Sequence, residues 1–184
     1  MQKLLLHSCC GPCSSACIER LLAETDYEIT IFYYNPNIYP QEEYIKRKSE
    51  QIRLIKELNN HRVDFLDCDY NPCEFEKISL GLEGEKEGGA RCARCFALRL
   101  NKTAQTAKDK GFNAFATTLT VSPHKNAKLI TEIGLSWAEK FDIKYLPYDF
   151  KKKECFKRSI ALSKEYGLYR QNYCGCKFSL PQNN

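Results

Sequence analysis

No stretch of the 184-residue sequence approaches the roughly 20 consecutive apolar residues that a bilayer crossing needs. The apolar start Leu4-Leu5-Leu6 is too short for a signal-peptide core and runs into cysteines in place of a cleavage site. A cytoplasmic protein with no membrane partner is therefore expected. Internal repeats and domain linkers are also missing, so one domain over 1–184 is expected, with residues 169–184 forming a carboxyl-terminal Cys-x-Cys tail that closes over the site. Histidine is scarce. A lone His7 beside a strand and a lone His124 read as core or hydrogen-bonding residues rather than as ligands. A formal charge of +5 permits a polyanionic partner without requiring one.

Cysteine is what the sequence has instead, eleven in all. A chain of this length buries roughly 70% of its unfolded surface and needs no staples. An odd cysteine count, in a compartment that keeps thiols reduced, also argues against a disulfide framework. Metal binding or redox chemistry is the expected use of at least some of them.

Five short apolar or β-branched runs read as strands, at 3–7, 28–34, 63–67, 113–117 and 144–147. Segments of helical spacing lie between and after them, at 14–24, 41–58, 72–82, 93–110, 126–141 and 155–166. This alternation implies right-handed crossovers and an α/β fold: a five-stranded parallel sheet, order 3-2-1-4-5, with helices on both faces. Strand order then reverses between the first and fourth strands, where ligands bind beyond the carboxyl ends. The loops expected at that crevice are Ser8-Cys9-Cys10-Gly11-Pro12-Cys13 and the stretch from Thr118 to Lys125.

Cys10/Cys13 and Cys92/Cys95 are Cys-x-x-Cys pairs, a spacing that lets one turn aim two sulfurs at one centre. The wide gap between the pairs favours an iron–sulfur cluster over a zinc ribbon. Adjacent residues point their side chains apart, which separates Cys9 from Cys10's centre. A second metal held by Cys9, Cys174 and Cys176 would use the remaining motif cysteines. Cys17, Cys68, Cys73 and Cys155 have no motif partner and read as small buried hydrophobes. Two rival readings stand beside this one. Cys10-Gly11-Pro12-Cys13 matches the active-site tetrapeptide of thiol-disulfide oxidoreductases, although their fold needs a terminal antiparallel hairpin. A zinc-bearing tRNA-binding module would bind RNA without redox activity.

The motifs resemble those of the epoxyqueuosine reductase family of the QueH type. They run in order from Cys9-Cys10-Gly11-Pro12-Cys13 through Asn35-Pro36-Asn37-Ile38, Glu43-Tyr44 and Arg47-Lys48 to Gly88-Gly89-Ala90-Arg91-Cys92-Ala93-Arg94-Cys95-Phe96. Thr117-Thr118-Leu119, Ser122-Pro123, Lys125, Asp149-Phe150-Lys151-Lys152 and the segment Tyr169-Arg170-Gln171-Asn172-Tyr173-Cys174-Gly175-Cys176 complete the match. The resemblance implies an adenine-nucleotide-hydrolase-like (HUP) architecture, related to PP-loop ATPases but lacking their Ser-Gly-Gly phosphate cradle. It implies two-electron removal of the epoxide oxygen of epoxyqueuosine at a tRNA wobble position, giving queuosine, with an external electron donor. It also implies a 4Fe-4S cluster, carried onto Cys10, Cys13, Cys92 and Cys95, and a mononuclear iron, exchangeable for zinc during purification, carried onto Cys9, Cys174 and Cys176. Tyr173, Asp69 and Asp149 are the candidate proton donors. Arg91, Arg94, Arg99, Ser122, Lys125, Lys151 and Arg170 are candidate substrate contacts, with Arg158 as a further basic residue and Tyr33, Tyr34 and Phe96 as candidate stacking surfaces.

Overall fold

The computed structural model describes residues 2–180; the expected tail's last residues, 181–184, lie outside them, as does Met1. The strands are β1 (Lys3–His7), β2 (Glu28–Phe32), β3 (Val63–Leu66), β4 (Ala114–Thr117) and β5 (Lys144–Tyr145). Their order is β3-β2-β1-β4-β5 and every pairing is parallel, as the alternation of periods implied. The helices are α1 (Gly11–Glu24), α2 (Gln41–Leu58), α3 (Pro72–Ser79), α4 (Ala90–Asp109), α5 (Ala127–Phe141) and α6 (Cys155–Glu165).

The central strand explains why both faces are covered. Leu4 and Leu6 join one core with Ala16, Ile18 and Leu21 of α1 and Leu162 of α6. Leu5, pointing the opposite way, joins the second core with Ala104 and Ala107 of α4 and Phe115 of β4. Burying a leucine in each contributes about 1.5–3 kcal/mol.

Element bounds depart from the sequence expectation where the site is built. α1 starts at Gly11 rather than at residue 14, because Pro12 fits a first helical turn and Gly11 packs on α2, where an added Cβ would come within 3.2 Å of the Glu50 carbonyl. Cys10 becomes the N-cap and Cys13 enters the first turn. α4 likewise starts at Ala90 instead of residue 93, placing both Cys92 and Cys95 on its opening turns. α3 ends at Ser79, earlier than expected, and leaves Leu80 exposed. Among the described residues no helix is long and apolar enough to cross a membrane.

Candidate metal and redox site

The β1–α1 loop is held from α2. The Gln51 Oε1 accepts from the hydroxyls of Ser8, 2.8 Å, and Ser14, 2.9 Å, which brace the loop on either side of the cysteines. The sulfurs of Cys9, Cys10 and Cys13 consequently lie within 4.8 Å of one another. Cys9 and Cys10 are 4.0 Å apart. Thiolates on one tetrahedral ion with metal–sulfur bonds near 2.3 Å sit about 3.8 Å apart, so this spacing suits a single ion. The expected divergence of Cys9 and Cys10 is therefore corrected: Cys10 is an extended N-cap residue, and the change of backbone direction at the helix start turns both side chains inward. The Gln171 Nε2 donates to the Cys10 sulfur at 3.0 Å from the tail.

The other four motif thiols, Cys92, Cys95, Cys174 and Cys176, line a narrow pocket of about 40 Å³ together with Asn37, Arg99 and Lys125. A larger cavity of about 600 Å³ lies next to it, with Cys9, Cys13 and Cys174 among its walls. Cys174 and Lys125 belong to both.

Each group of thiols favours one thiolate. Hydrogen bonds from the Cys10 and Cys13 thiols hold Cys9 well below the ordinary thiol range against the effect of burial, with Lys125 and Arg99 adding positive charge. The same bonds and burial push Cys13 the other way. Cys174 is lowered by the Cys176 thiol and, against burial, by Lys125, while Cys176 rises in exchange. Burial pushes Cys95 up to about 11. Burial alone would lower the Lys125 ammonium, but Cys9, Cys13 and Cys174 outweigh it and keep the group charged.

The tail is fixed by α2. Arg47, 1% exposed, pairs with Glu43 at 2.6 Å and donates to the carbonyls of Cys174, 3.2 Å, and Tyr173, 3.3 Å. The Tyr39 amide donates to the Gly175 carbonyl at 2.8 Å. Upstream, the Glu50 carboxylate accepts the Tyr169 amide at 2.7 Å and pairs with Arg53 at 2.9 Å. Arg53 first, opposed by burial, and then the Tyr169 amide hold the Glu50 carboxyl below its usual range. Stability from a depressed carboxyl is present above its unfolded value and is lost as pH falls through the folded one. The protection factor of the Tyr169 amide in hydrogen exchange is accordingly expected to drop on acidification below the ordinary glutamate range, and to be insensitive to pH above it.

The remaining candidates divide by placement. Ser122 and Arg170 line the larger cavity, and the Arg170 guanidinium donates to the Ser159 carbonyl and the Ser163 hydroxyl. Tyr173 lines it too, but its hydroxyl is turned onto the Tyr39 carbonyl at 2.5 Å, and burial, then the Glu43 charge, push it up to about 12. Asp69 is exposed, and Asp149 caps its own turn by accepting the Lys151 amide; neither lines either cavity, which corrects their expected place at the site. Lys151 reaches the Pro123 carbonyl at 3.2 Å, and Arg94 is exposed beside the Ile78 carbonyl. Arg158 is paired with Glu19. Arg91 is buried, binding the carbonyls of Leu82 and Glu83, and Arg99 is buried beneath the thiols, so neither guanidinium is open to an RNA backbone outside.

Tyr33 and Tyr34 are core residues, and Phe96, also buried, lines the narrow thiol pocket rather than an outward face, which corrects their expected stacking role; beside Tyr173, the more exposed ring on the larger cavity's wall is Phe156, beneath the Arg170 guanidinium at 6.0 Å. Cys17 and Cys155 are buried as expected and Cys68 is partly so, but Cys73 is exposed on the first turn of the short α3. Asn37 and Gln171 lie in matching segments to which no role was attached, whereas Gln51 and Phe156 carry no spacing signal at all.

An all-parallel sheet, with three thiols grouped closely enough to hold a metal and four more lining the adjoining pocket, defines an α/β protein with a thiol-rich site, and leaves no antiparallel pair for a thioredoxin-like fold among the described residues. Comparison with known proteins narrows the class. The sequence profile of the family described as epoxyqueuosine reductase QueH matches residues 4–182, and the chain belongs to that family of oxidoreductase enzymes. It is 44% identical over 179 residues to the epoxyqueuosine reductase QueH of Streptococcus pyogenes serotype M1, covering 96% of this chain and 69% of that protein. It is 42% identical to the Staphylococcus epidermidis protein of the same name, covering 96% and 76%. With the Thermotoga maritima protein, again so named, identity is 38% over 98% of this chain and 91% of that one.

Proposed function

We propose that the chain reduces epoxyqueuosine to queuosine at the wobble position of tRNA in the cytoplasm, drawing electrons from an external donor. Both carbon–oxygen bonds of the epoxide break, a carbon–carbon double bond forms, and two electrons and two protons carry the oxygen away as water. The observation that carries this reading is the shared wall: Cys9, Cys13 and Cys174 face a cavity of about 600 Å³, and Cys174 also faces the pocket of Cys92, Cys95 and Cys176. That volume suits a nucleoside turned out of an anticodon loop.

The donor set fits iron: seven thiols with two groups in contact through Cys174 and Lys125. The spacing of Cys9, Cys10 and Cys13 supports the single ion there, leaving Cys92, Cys95, Cys174 and Cys176 for the 4Fe-4S cluster. This exchanges Cys10 and Cys13 for Cys174 and Cys176 relative to the assignment carried over from the resemblance. When bound, such centres supply single electrons and a Lewis acid for the epoxide oxygen.

The chain's own residues position the substrate and supply a proton. Phe156 and Arg170 offer a base a stacking surface at the cavity wall, and Ser122 a hydroxyl. Lys125, which takes part in no ion pair among the described residues, is the ammonium nearest the thiols and protonates the leaving oxygen. Residues 169–180 close the site over the sheet as part of one domain. Lys125→Met is expected to lower kcat by roughly 10²–10³-fold, the scale of general-acid catalysis, with iron and sulfide content unchanged. A rise in KM alone would make Lys125 a substrate contact instead.

Anaerobic purification with iron, sulfide and zinc analysis, followed by assay on epoxyqueuosine-bearing tRNA, tests the whole reading. Iron, acid-labile sulfide and conversion to queuosine are expected. Zinc without redox activity, or disulfide reduction by a metal-free protein, would replace it.

A further inference from the structure

Arg99 sits at the centre of the molecule, 3% exposed, on the face of α4 one turn beyond Cys95. Its Nε donates to the His7 Nε2 at 3.2 Å and its Nη2 to the Asn35 Oδ1 at 2.7 Å. Neither partner is a carboxylate. The Asn35 amide nitrogen is itself committed to the Ser8 carbonyl at 2.8 Å, which fixes the oxygen towards Arg99. His7 Nδ1 faces the Thr117 hydroxyl at 3.0 Å and Nε2 also lies 3.2 Å from the Tyr34 carbonyl, so the ring's polar neighbours bring no carboxylate.

Among the described residues, no carboxylate lies within ion-pair distance of Arg99. Of the other buried arginines, Arg47 has Glu43, and Arg91, on the wall of the same pocket, is turned onto the carbonyls of Leu82 and Glu83. A buried guanidinium without an anion is strongly unfavourable. The groups left to balance it are sulfurs: Arg99 lines the same narrow pocket as Cys95 and Cys174.

We infer that Arg99 is the counter-cation of the thiol centre, a positioning residue that balances the negative charge of the metal-bound thiolates and raises the reduction potential of the cluster. This rests on the proposed function for its cofactor, but on Arg99's own surroundings for its sign. Four thiolates on a cluster leave a net negative charge that grows by one on reduction, and a fixed buried cation beside it stabilises the reduced form more. His7 and Asn35 hold the fork in place and neither brings a negative charge that would consume its own. A carboxylate in their place would cancel the effect.

The test compares reconstituted wild-type protein with Arg99→Lys and Arg99→Met, measuring iron and sulfide content and the midpoint potential by anaerobic electron-paramagnetic-resonance titration. Expected is at least a tenfold shift of the reduction equilibrium against the reduced form in Arg99→Met, 59 mV for a one-electron couple, with Arg99→Lys close to wild type. An unchanged potential at full iron content in Arg99→Met overturns the inference. So does loss of the cluster in both variants, which would make Arg99 a strut defined by its shape. Cluster loss in Arg99→Met alone supports it. Should the wild type take up no iron and sulfide, the proposed function fails, and zinc release to a chelator decides Arg99 separately. A tenfold faster release from Arg99→Met than from both others supports the counter-cation, and equal release, or no zinc bound, overturns it.

Discussion

Cys10→Ala is expected to cost the protein its single iron while acid-labile sulfide and the visible cluster spectrum stay near wild type, whereas Cys95→Ala is expected to remove both. Turnover should fall in each by roughly a thousandfold or more, since a lost metal contribution of about 4 kcal/mol is three decades of rate. The contrast follows from the grouping of sulfurs. Cys10 lies 4.0 Å from Cys9 and within 4.8 Å of Cys13, a spacing for one ion, while Cys95 faces Cys92, Cys174 and Cys176 across the narrow pocket. Equal loss of sulfide in the two variants would restore the assignment of Cys10 and Cys13 to the cluster. The measurement is sulfide and iron per chain after anaerobic reconstitution, with circular dichroism to show that both variants fold. Folding should survive in Cys95→Ala, because the substituted side chain is small and loses mainly a buried sulfur.

The sheet was legible because its signal is repetitive. Leu4, Leu5 and Leu6 in succession can only be a strand covered on both sides, and the alternation of five such runs with amphipathic helices leaves little choice of topology. The cysteine loop after β1 and the loop from Thr118 to Lys125, both at the carboxyl ends, follow from that topology. What the sequence could not show was which cysteine faces which. The pairing of Cys9 with Cys10 depends on where α1 begins, and that depends on Gly11 packing against the Glu50 carbonyl, a contact between helices 39 positions apart in the chain. A spacing rule that treats Cys10-x-x-Cys13 as an isolated turn has no access to it.

The charged candidates divide for a related reason. Basic residues near motif loops read alike in sequence, yet Arg91 is spent on loop carbonyls, Arg99 lies under the thiols and Arg170 reaches the cavity wall. Their fates are set by neighbours such as Leu82, His7 and Ser159 that share no motif with them. Asp69 and Asp149 were placed near the site because they follow strands, but the edge strands end well to either side of the β1–β4 crevice. Conversely, the segments Asn35-Pro36-Asn37-Ile38, Glu43-Tyr44 and Arg47-Lys48 matched the family without a stated purpose. In the structure Asn35 orients Arg99, and Glu43 and Arg47 hold the tail.

That clamp makes Gly175→Ala a damaging substitution away from the sulfurs themselves. Gly175 has φ +114°, a region in which a side chain is strained, at a cost of about 1–3 kcal/mol. An added Cβ would also fall 2.9 Å from the Arg47 Nη1 and 3.1 Å from the Ile38 Cγ1. The guanidinium could yield, but only by giving up the carbonyls of Tyr173 and Cys174; Ile38 is fully buried and could not. Either movement shifts Cys174 and Cys176 together, so loss of bound iron should exceed what the loss of stability explains. A Tm lower by roughly 2–10 °C is expected for a chain of this size, read in the metal-free protein so that the strain is separated from metal loss. Arg47→Met should cost the same thiols their fixed carbonyls by a different route and leave Glu43 without its buried partner. Because Gly175 and Arg47 are in contact, the double variant should be less destabilised than the sum of the single ones; strict additivity would mean that the tail is held elsewhere.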